Sequence, residues 1–210
     1  MHTIKYMNEN LQDLIKMLTG LRKGDLITIA SRPKNGRTTL AFNIGAFVAE
    51  AGITVAIFNW KNEDINTNKD SKHIYIYDIL DLKKIKEKSI ELLLNYNLGL
   101  VIIDDVDLIE SNNNEVWLEL CKMAKELDVP IVATARIDII ERKDNKPYLA
   151  DLSNSILCYS KQILLMYRND LYNKDRKTNI VEVTIAKNAN GATGKVKLRY
   201  KFDIRKFEEI

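Results

Sequence analysis

The feature that most constrains this chain is residues 27–50, ITIASRPKNGRTTLAFNIGAFVAE, where a strand pattern passes through a polar turn straight into a helix pattern. Leu26, Ile27, Ile29 and Ala30 form a short apolar run of the kind buried on both faces of a sheet, within GDLITIAS (24–31). Leu40, Ile44, Phe47 and Val48 then recur at helical spacing, and Gly52 closes the helix. A helix that starts directly on a strand end offers unpaired backbone N–H groups and the positive end of its dipole, which is where anions bind. The phosphate-loop pattern is glycine, four residues, glycine-lysine, then serine or threonine. Ser31, Gly36, Arg37 and Thr38 stand at its four marked positions. Serine thus replaces the first glycine, and a planar guanidinium replaces a compact ammonium. An ordinary strand–turn–helix with a basic turn would carry the same residues, so the loop alone leaves both readings open.

The rest of the chain alternates in the same way. ITVAIFNW (53–60), HIYIYDI (73–79), LGLVIIDDVDLI (98–109) and VPIVATARI (129–137) read as strands. Between them, DLKKIKEKSIELLLNYN and EVWLELCKMAKELD (115–128) read as helices, and the Asn-rich KNEDINTNKDSK (61–72) as a loop. QILLMYRN follows, and NIVEVTIAKN and GKVKLRYKFD alternate as an antiparallel pair would. Strands separated by helices imply βαβ units and a mostly parallel sheet, with the closing hairpin extending one edge.

A length of 210 residues fits one domain. The formal net charge of +3, with acids and bases interleaved, permits a nucleic-acid partner without arguing for one. Cys121 and Cys158 lie in apolar contexts without metal-type spacing and are expected as buried thiols rather than a disulfide. The N-terminal MHTIKYMNENLQDLIK is charged where a signal peptide is apolar, and no run is long enough to span a bilayer. The expected setting is the cytoplasm, with no membrane partner.

A second element bears on the phosphate loop. GLVIIDD sets Asp104 and Asp105 at a strand end, where an acid that orients a metal belongs relative to a strand–loop–helix phosphate site. Solvated acids at a strand end are the alternative. Loop and acid in this order, in an alternating chain, favour a P-loop NTPase fold.

At this point the chain resembles a specific family, the C-terminal RecA-like domain of DnaB-type replicative helicases. The resemblance rests on MLTGLRKGDLITIASRPKNGRTTLAFNIG, NLGLVIIDDVDLI, AKELDVPIVATARID, KPYLADL, LLMYRNDLYN and IVEVTIAKNANGATGKVKLRY, six collinear stretches between Met17 and Tyr200, and spans the chain from about residue 4 to residue 207. It implies an α/β, RecA-like P-loop NTPase fold: a mostly parallel central sheet flanked by helices, with C-terminal antiparallel strands forming a hairpin. It implies one such domain over residues 1–210, without the family's N-terminal collar domain or linker helix. It also implies a deletion after the second strand, where the family carries helices and this chain has DINTNKDSK.

The implied ligands are ATP and magnesium. By resemblance, Ser31, Lys34, Asn35, Gly36, Arg37, Thr38, Thr39, Arg136 and Lys187 would form the nucleotide site, and Thr38 and Asp104 would hold the metal. Arg136 and Asp107 occupy glutamine positions of the family. The glutamate that positions the attacking water is replaced by Lys61, with Glu63 two residues on as a displaced base, and the trans-acting arginine finger is replaced by Ala189. Arginine fingers are worth roughly 10³–10⁵ in rate, and a cation in place of the carboxylate removes the acceptor for the water's proton. Arg37, Lys61 and Arg136 would either bind anions together without turnover or face solvent.

The leading expectation is a relative without ATPase competence that acts in DNA replication by binding a replicative helicase, its loader or nucleic acid. The alternatives are an active ATPase or helicase domain using Glu63, and a stand-alone nucleotide- or single-stranded-DNA-binding module. A homo-oligomer is a further expected partner state. Lys83, Lys84, Lys86 and Lys88 on one helix and the loop RNDLYNKDRK are the candidate DNA contacts, against a solvated face balanced by Asp81, Glu87 and Glu91. Trp60 and Trp117 are expected in the core or at an interface.

Overall fold

The structure, a computed structural model, describes residues 11–17, 20–59, 72–109, 113–138, 145–173 and 178–210. Nine strands form one sheet in the order β3-β2-β4-β5-β1-β6-β7-β8-β9. The strands β1 (Leu26–Ser31), β2 (Thr54–Phe58), β3 (Ile74–Tyr77), β4 (Leu98–Ile103), β5 (Ile131–Arg136) and β6 (Gln162–Tyr167) run parallel. The strands β7 (Ile180–Asn188), β8 (Gly194–Lys201) and β9 (Lys206–Glu209) continue the sheet antiparallel.

Every residue of β1, β2 and β6 is buried, as expected of strands covered on both faces. On one face, Ile27 and Ile29 of β1 join Val55 and Ile57, Leu100 and Ile102, and the inward residues of β7–β9. That layer packs under α1 (Gln12–Met17) and α2 (Arg37–Glu50). On the other face, Leu26 and Ala30 join Ala56, Phe58, Val101 and Ile103 beneath α3 (Leu82–Tyr96), α4 (Asn113–Leu127) and α5 (Asn154–Tyr159). The two-residue period of the strands thus sorts adjacent side chains into two cores.

The strand at 98–109 stops earlier than its apolar run suggests. β4 ends at Ile103, Asp105 takes a left-handed conformation (φ 53°), and Val106–Leu108 form a single 3₁₀ turn. Trp117 is in the core as expected; Trp60 lies outside the described residues. Cys121 is buried, but Cys158 is exposed, correcting the expectation of two buried thiols. It sits on α5, which turns Ser155 and Ile156 inward and so directs Cys158 outward.

Candidate functional site

Ser31 ends β1 between β5 and β6, and its hydroxyl donates to Arg32 O at 2.8 Å. The chain then turns through Lys34 (φ 66°) and Gly36 (φ 95°), both left-handed, before entering α2 at Arg37. Gly36 caps the helix with no side-chain hydrogen bond, so the first N–H groups of α2 receive no acceptor from the cap residue. Glycine is required here twice over: its φ disfavours a side chain, and a Cβ would come within 2.9 Å of Phe207 Cζ.

Asn35 fixes the loop from within. It is 1% exposed; its Nδ2 donates to Arg32 O and Pro33 O at 3.1 Å each and to Tyr172 Oη at 3.3 Å. Its Oδ1 accepts from the Arg168 N–H at 2.7 Å. Arg168 follows β6, forms a two-pronged pair with Asp170 at 3.1 and 2.9 Å, and lies over the rings of Tyr200 and Phe202. The sequence places Asn35 in the loop but gives no sign of this anchor to the end of β6.

The metal-type pair is assembled. Thr38 Oγ1 donates toward both carboxylate oxygens of Asp104, each at 3.0 Å, and Thr134 Oγ1 on β5 donates to Asp104 Oδ1 at 2.7 Å. Thr134 in turn accepts from the Asp105 N–H at 2.8 Å. Asp104 is 3% exposed. Burial pushes its carboxyl above the ordinary range; the Thr134 hydrogen bond opposes this, the Asp105 charge adds to it, and Thr38 and Arg37 oppose it. Thr134 is a functional neighbour that no motif in the sequence marks.

Arg37, at the phosphate-lysine position, turns its Nη2 onto Asp105 Oδ1, and its buried Nε has no hydrogen-bond acceptor among the described residues. Arg136 ends β5 exposed, with its N–H donating to Asp107 Oδ2 at 2.5 Å. Thr39 lies half-buried in the first turn of α2 and Lys34 is exposed on the loop. Lys187 does not join this group. Near the far end of β7, its Nζ donates to Leu157 O at 2.5 Å, and Ala189 beyond it bonds through its N–H to Lys161 O at 2.9 Å. Lys61 and Glu63 lie outside the described residues.

The loop residues therefore fit a phosphate group: left-handed turns opening onto a helix start, a glycine that no side chain can replace without a clash, and a buried guanidinium nitrogen without an acceptor among the described residues. Magnesium is bound through one or two protein oxygens plus substrate phosphates and water, and Thr38 and Asp104 supply such a pair. Among the described residues no cluster of three or more His, Cys, Asp or Glu side chains forms an all-protein metal cage.

A parallel sheet with a phosphate loop at the end of a central strand, an acid at the end of a second and a C-terminal antiparallel extension defines a RecA-like ATPase-type fold. Solved structures agree. The fold matches that in "The Structure Of A DnaB-Like Replicative Helicase And Its Interactions With Primase" with a TM-score of 0.85 at 22% identity, over 100% of this chain and 63% of that one. It matches a second solved structure, that of an isolated ATPase domain, with the same TM-score and identity, over 99% of this chain and 92% of that one. The profile of the DnaB-like helicase C terminal domain matches residues 7–69 and 60–209, and the chain belongs to that family. Among curated relatives, it is 29% identical to the replicative DNA helicase DnaB of Geobacillus stearothermophilus and 28% identical to the replicative DNA helicase DnaC of Bacillus subtilis. Each alignment covers 94% of this chain and 55% of the relative, so the chain spans about half the length of these helicases. Both alignments run to 250 columns, longer than the 210 residues of this chain, so the relatives carry residues with no counterpart here. The profile matches in two segments that overlap at residues 60–69, after β2. Among the described residues no helix is long and apolar enough to cross a membrane.

Proposed function

We propose that this protein works in DNA replication by binding, holding a nucleotide or other phosphate anion at its loop without running an ATPase motor. In this reading Gly36, Arg37, Thr38 and Thr39 hold the phosphates, and Thr38 and Asp104 orient the metal. Bound magnesium would neutralise phosphate charge. The partner is a replicative helicase or its loader, met through the faces that the family uses between subunits. The observation that carries the reading is the hairpin after β7. It is held in place by Ala189 N–H to Lys161 O at 2.9 Å and by Asn190 Nδ2 to Asp25 Oδ2 at 2.6 Å. Yet the residue at the finger position presents a methyl group where the resemblance requires a guanidinium. Lys61 at the water-positioning place acts in the same direction.

The test is magnesium-ATP hydrolysis by purified protein, with and without single-stranded DNA. The expected result is no turnover above background in either case, alongside measurable ADP binding. Hydrolysis stimulated by DNA to a motor's rate would overturn the reading and favour an active domain using Glu63.

A second reading, contact with single-stranded nucleic acid, is favoured by one surface. Among the described residues, the lysines of α3 and Arg168 after β6 support it little; Lys174, Arg176 and Lys177 of the same loop lie outside the described residues. Lys86 pairs with Glu126, Lys88 with Glu91 and Arg168 with Asp170. Asp81, for its part, is spent on the N-cap, accepting from the Lys84 N–H at 2.8 Å. Strand β8 instead places Lys195, Lys197, Arg199 and Lys201 at every second position, on the face opposite Val196, Leu198 and Tyr200. Among the described residues, Glu182 and Glu208 pair with these cations across the strands, at 3.3 Å to Lys195 and 2.6 Å to Lys201. Replacing Lys197 and Arg199 by Ser should weaken oligonucleotide binding and flatten its salt dependence by about one to two units of slope. An unchanged slope would remove this surface from consideration.

A further inference from the structure

We propose that Asp105 is an internal competitor for the phosphate loop, occupying the Arg37 guanidinium until an incoming phosphate displaces it. The inference rests on the reading of residues 31–39 as an anion site. Three features of the structure carry it. First, the Arg37 Nη2 is paired with Asp105 Oδ1, and both side chains are largely enclosed, at 13% and 25% exposure. A half-buried ion pair is screened less than a surface one and must be broken before the guanidinium can turn to another anion. Second, Asp105 reaches Arg37 from a left-handed backbone (φ 53°) whose N–H is held by Thr134 Oγ1 at 2.8 Å. The same Thr134 fixes Asp104, so the competing carboxylate is locked to the frame of the metal-type pair and does not drift with a loop. Third, Arg37 Nε is buried without an acceptor among the described residues, so the guanidinium retains a donor that a phosphate oxygen would satisfy.

A compact lysine ammonium at this position would contact phosphate as a point charge. The wider arginine fork instead reaches past β5 to the end of β4, where a carboxylate follows Asp104. Arg37 and Asp105 therefore act as a pair: the cation that could bind phosphate is kept neutralised until a phosphate displaces the carboxylate. Loading the site costs the Arg37–Asp105 interaction, which lowers affinity and favours anions rich enough in charge to displace a carboxylate.

The experiment is calorimetric titration of the full chain with pyrophosphate, which probes the loop alone, and with ADP. Four proteins are compared: wild type, Asp105→Asn, Arg37→Ala and the double variant. Asparagine keeps the shape of aspartate and tolerates the left-handed backbone; Asp105→Ser serves as a second variant, with circular dichroism confirming the fold of each. Asp105→Asn is expected to bind pyrophosphate about tenfold more tightly than wild type, within the usual range of coupling between two sites. In the Arg37→Ala background the same substitution is expected to give no gain, since its effect runs through the guanidinium. Asp105→Asn binding no more tightly than wild type overturns the proposal. An equal gain with and without Arg37 also overturns it, because simple charge repulsion would then account for the effect. Failure of wild type and all variants to bind either probe overturns the phosphate-loop reading itself, and the competitor with it.

Discussion

Asp104 is the residue at which the site and the stability of the fold meet. Its carboxylate is enclosed and its pKa is raised, chiefly by burial. A raised carboxyl pKa means that the folded chain holds its proton to higher pH than the unfolded chain, whose aspartate titrates near 3.9. Stability from this group is therefore full below about pH 4 and declines as pH rises through the folded value. Asp104→Asn removes the penalty without removing the contacts. Thr134 can still donate to the amide oxygen, and the Thr38 hydroxyl can rotate to accept from the amide nitrogen. At pH 7 and without magnesium, the variant should melt about 2–4 °C higher than wild type, the shift that accompanies about 1 kcal/mol in a chain of this length. Near pH 4 the difference should vanish. A variant that melts lower at pH 7, or an advantage that persists at pH 4, would show that burial does not penalise the Asp104 carboxylate in the absence of magnesium.

At the scale of elements, the phosphate loop is held by a strand from the far end of the chain. β9 closes the sheet edge and sets Phe207, 2% exposed, against Gly36 and α2. Asn43 on α2 accepts from the Phe207 N–H at 2.8 Å and donates to Arg205 O at 3.3 Å, while Glu209 accepts from the Leu14 N–H at 2.9 Å. Phe207→Ala should cost about 3–5 kcal/mol, as for other buried aromatic side chains. Gly36→Ala should cost roughly 1–2 kcal/mol for the left-handed backbone, plus the clash with Phe207. In a Phe207→Ala background the clash is gone, so Gly36→Ala should cost measurably less there by urea denaturation; strict additivity would mean that the ring does not buttress the loop. None of this was legible in the sequence. KFEE is four residues long with three charges, and nothing in its pattern marks a strand. The short helices α1 and α5, six residues each, are unmarked for the same reason: fewer than two turns give no period to read. The long apolar runs of β1, β2, β4, β5 and β6 were legible because strands buried on both faces must be apolar throughout. At the site, Gly36, Thr38 and Asp104 were legible from motif spacing. The Arg37–Asp105 and Asn35–Arg168 bonds were not, since they join residues 68 and 133 positions apart that meet only through the strand order.

For the whole molecule, the sheet topology decides what a single chain can do. β1 lies between β5 and β6, so the loop after Ser31, the Asp104 carboxylate and Arg136 gather at the C-terminal ends of the parallel strands, where ligands of such sheets bind. The hairpin after β7 is at the other end. Asn188 pairs with Gln162, and Gln162 with Ile27, four residues before Ser31 and so roughly 13 Å along the strand from the loop. Lys187 and Ala189 therefore belong to a different edge of the molecule from the phosphate loop of their own chain. A group at position 189 would serve only a neighbouring copy. Restoring the family's residues should accordingly be non-additive. Ala189→Arg alone, Lys61→Glu alone and Arg37→Lys alone should each leave hydrolysis at background, because residues that act as a unit give little singly. The triple variant is the one expected to release phosphate from ATP, and its rate per chain should rise with protein concentration as copies meet. Turnover by Ala189→Arg alone, at a rate per chain independent of concentration, would place the finger within reach of its own loop and contradict the topology.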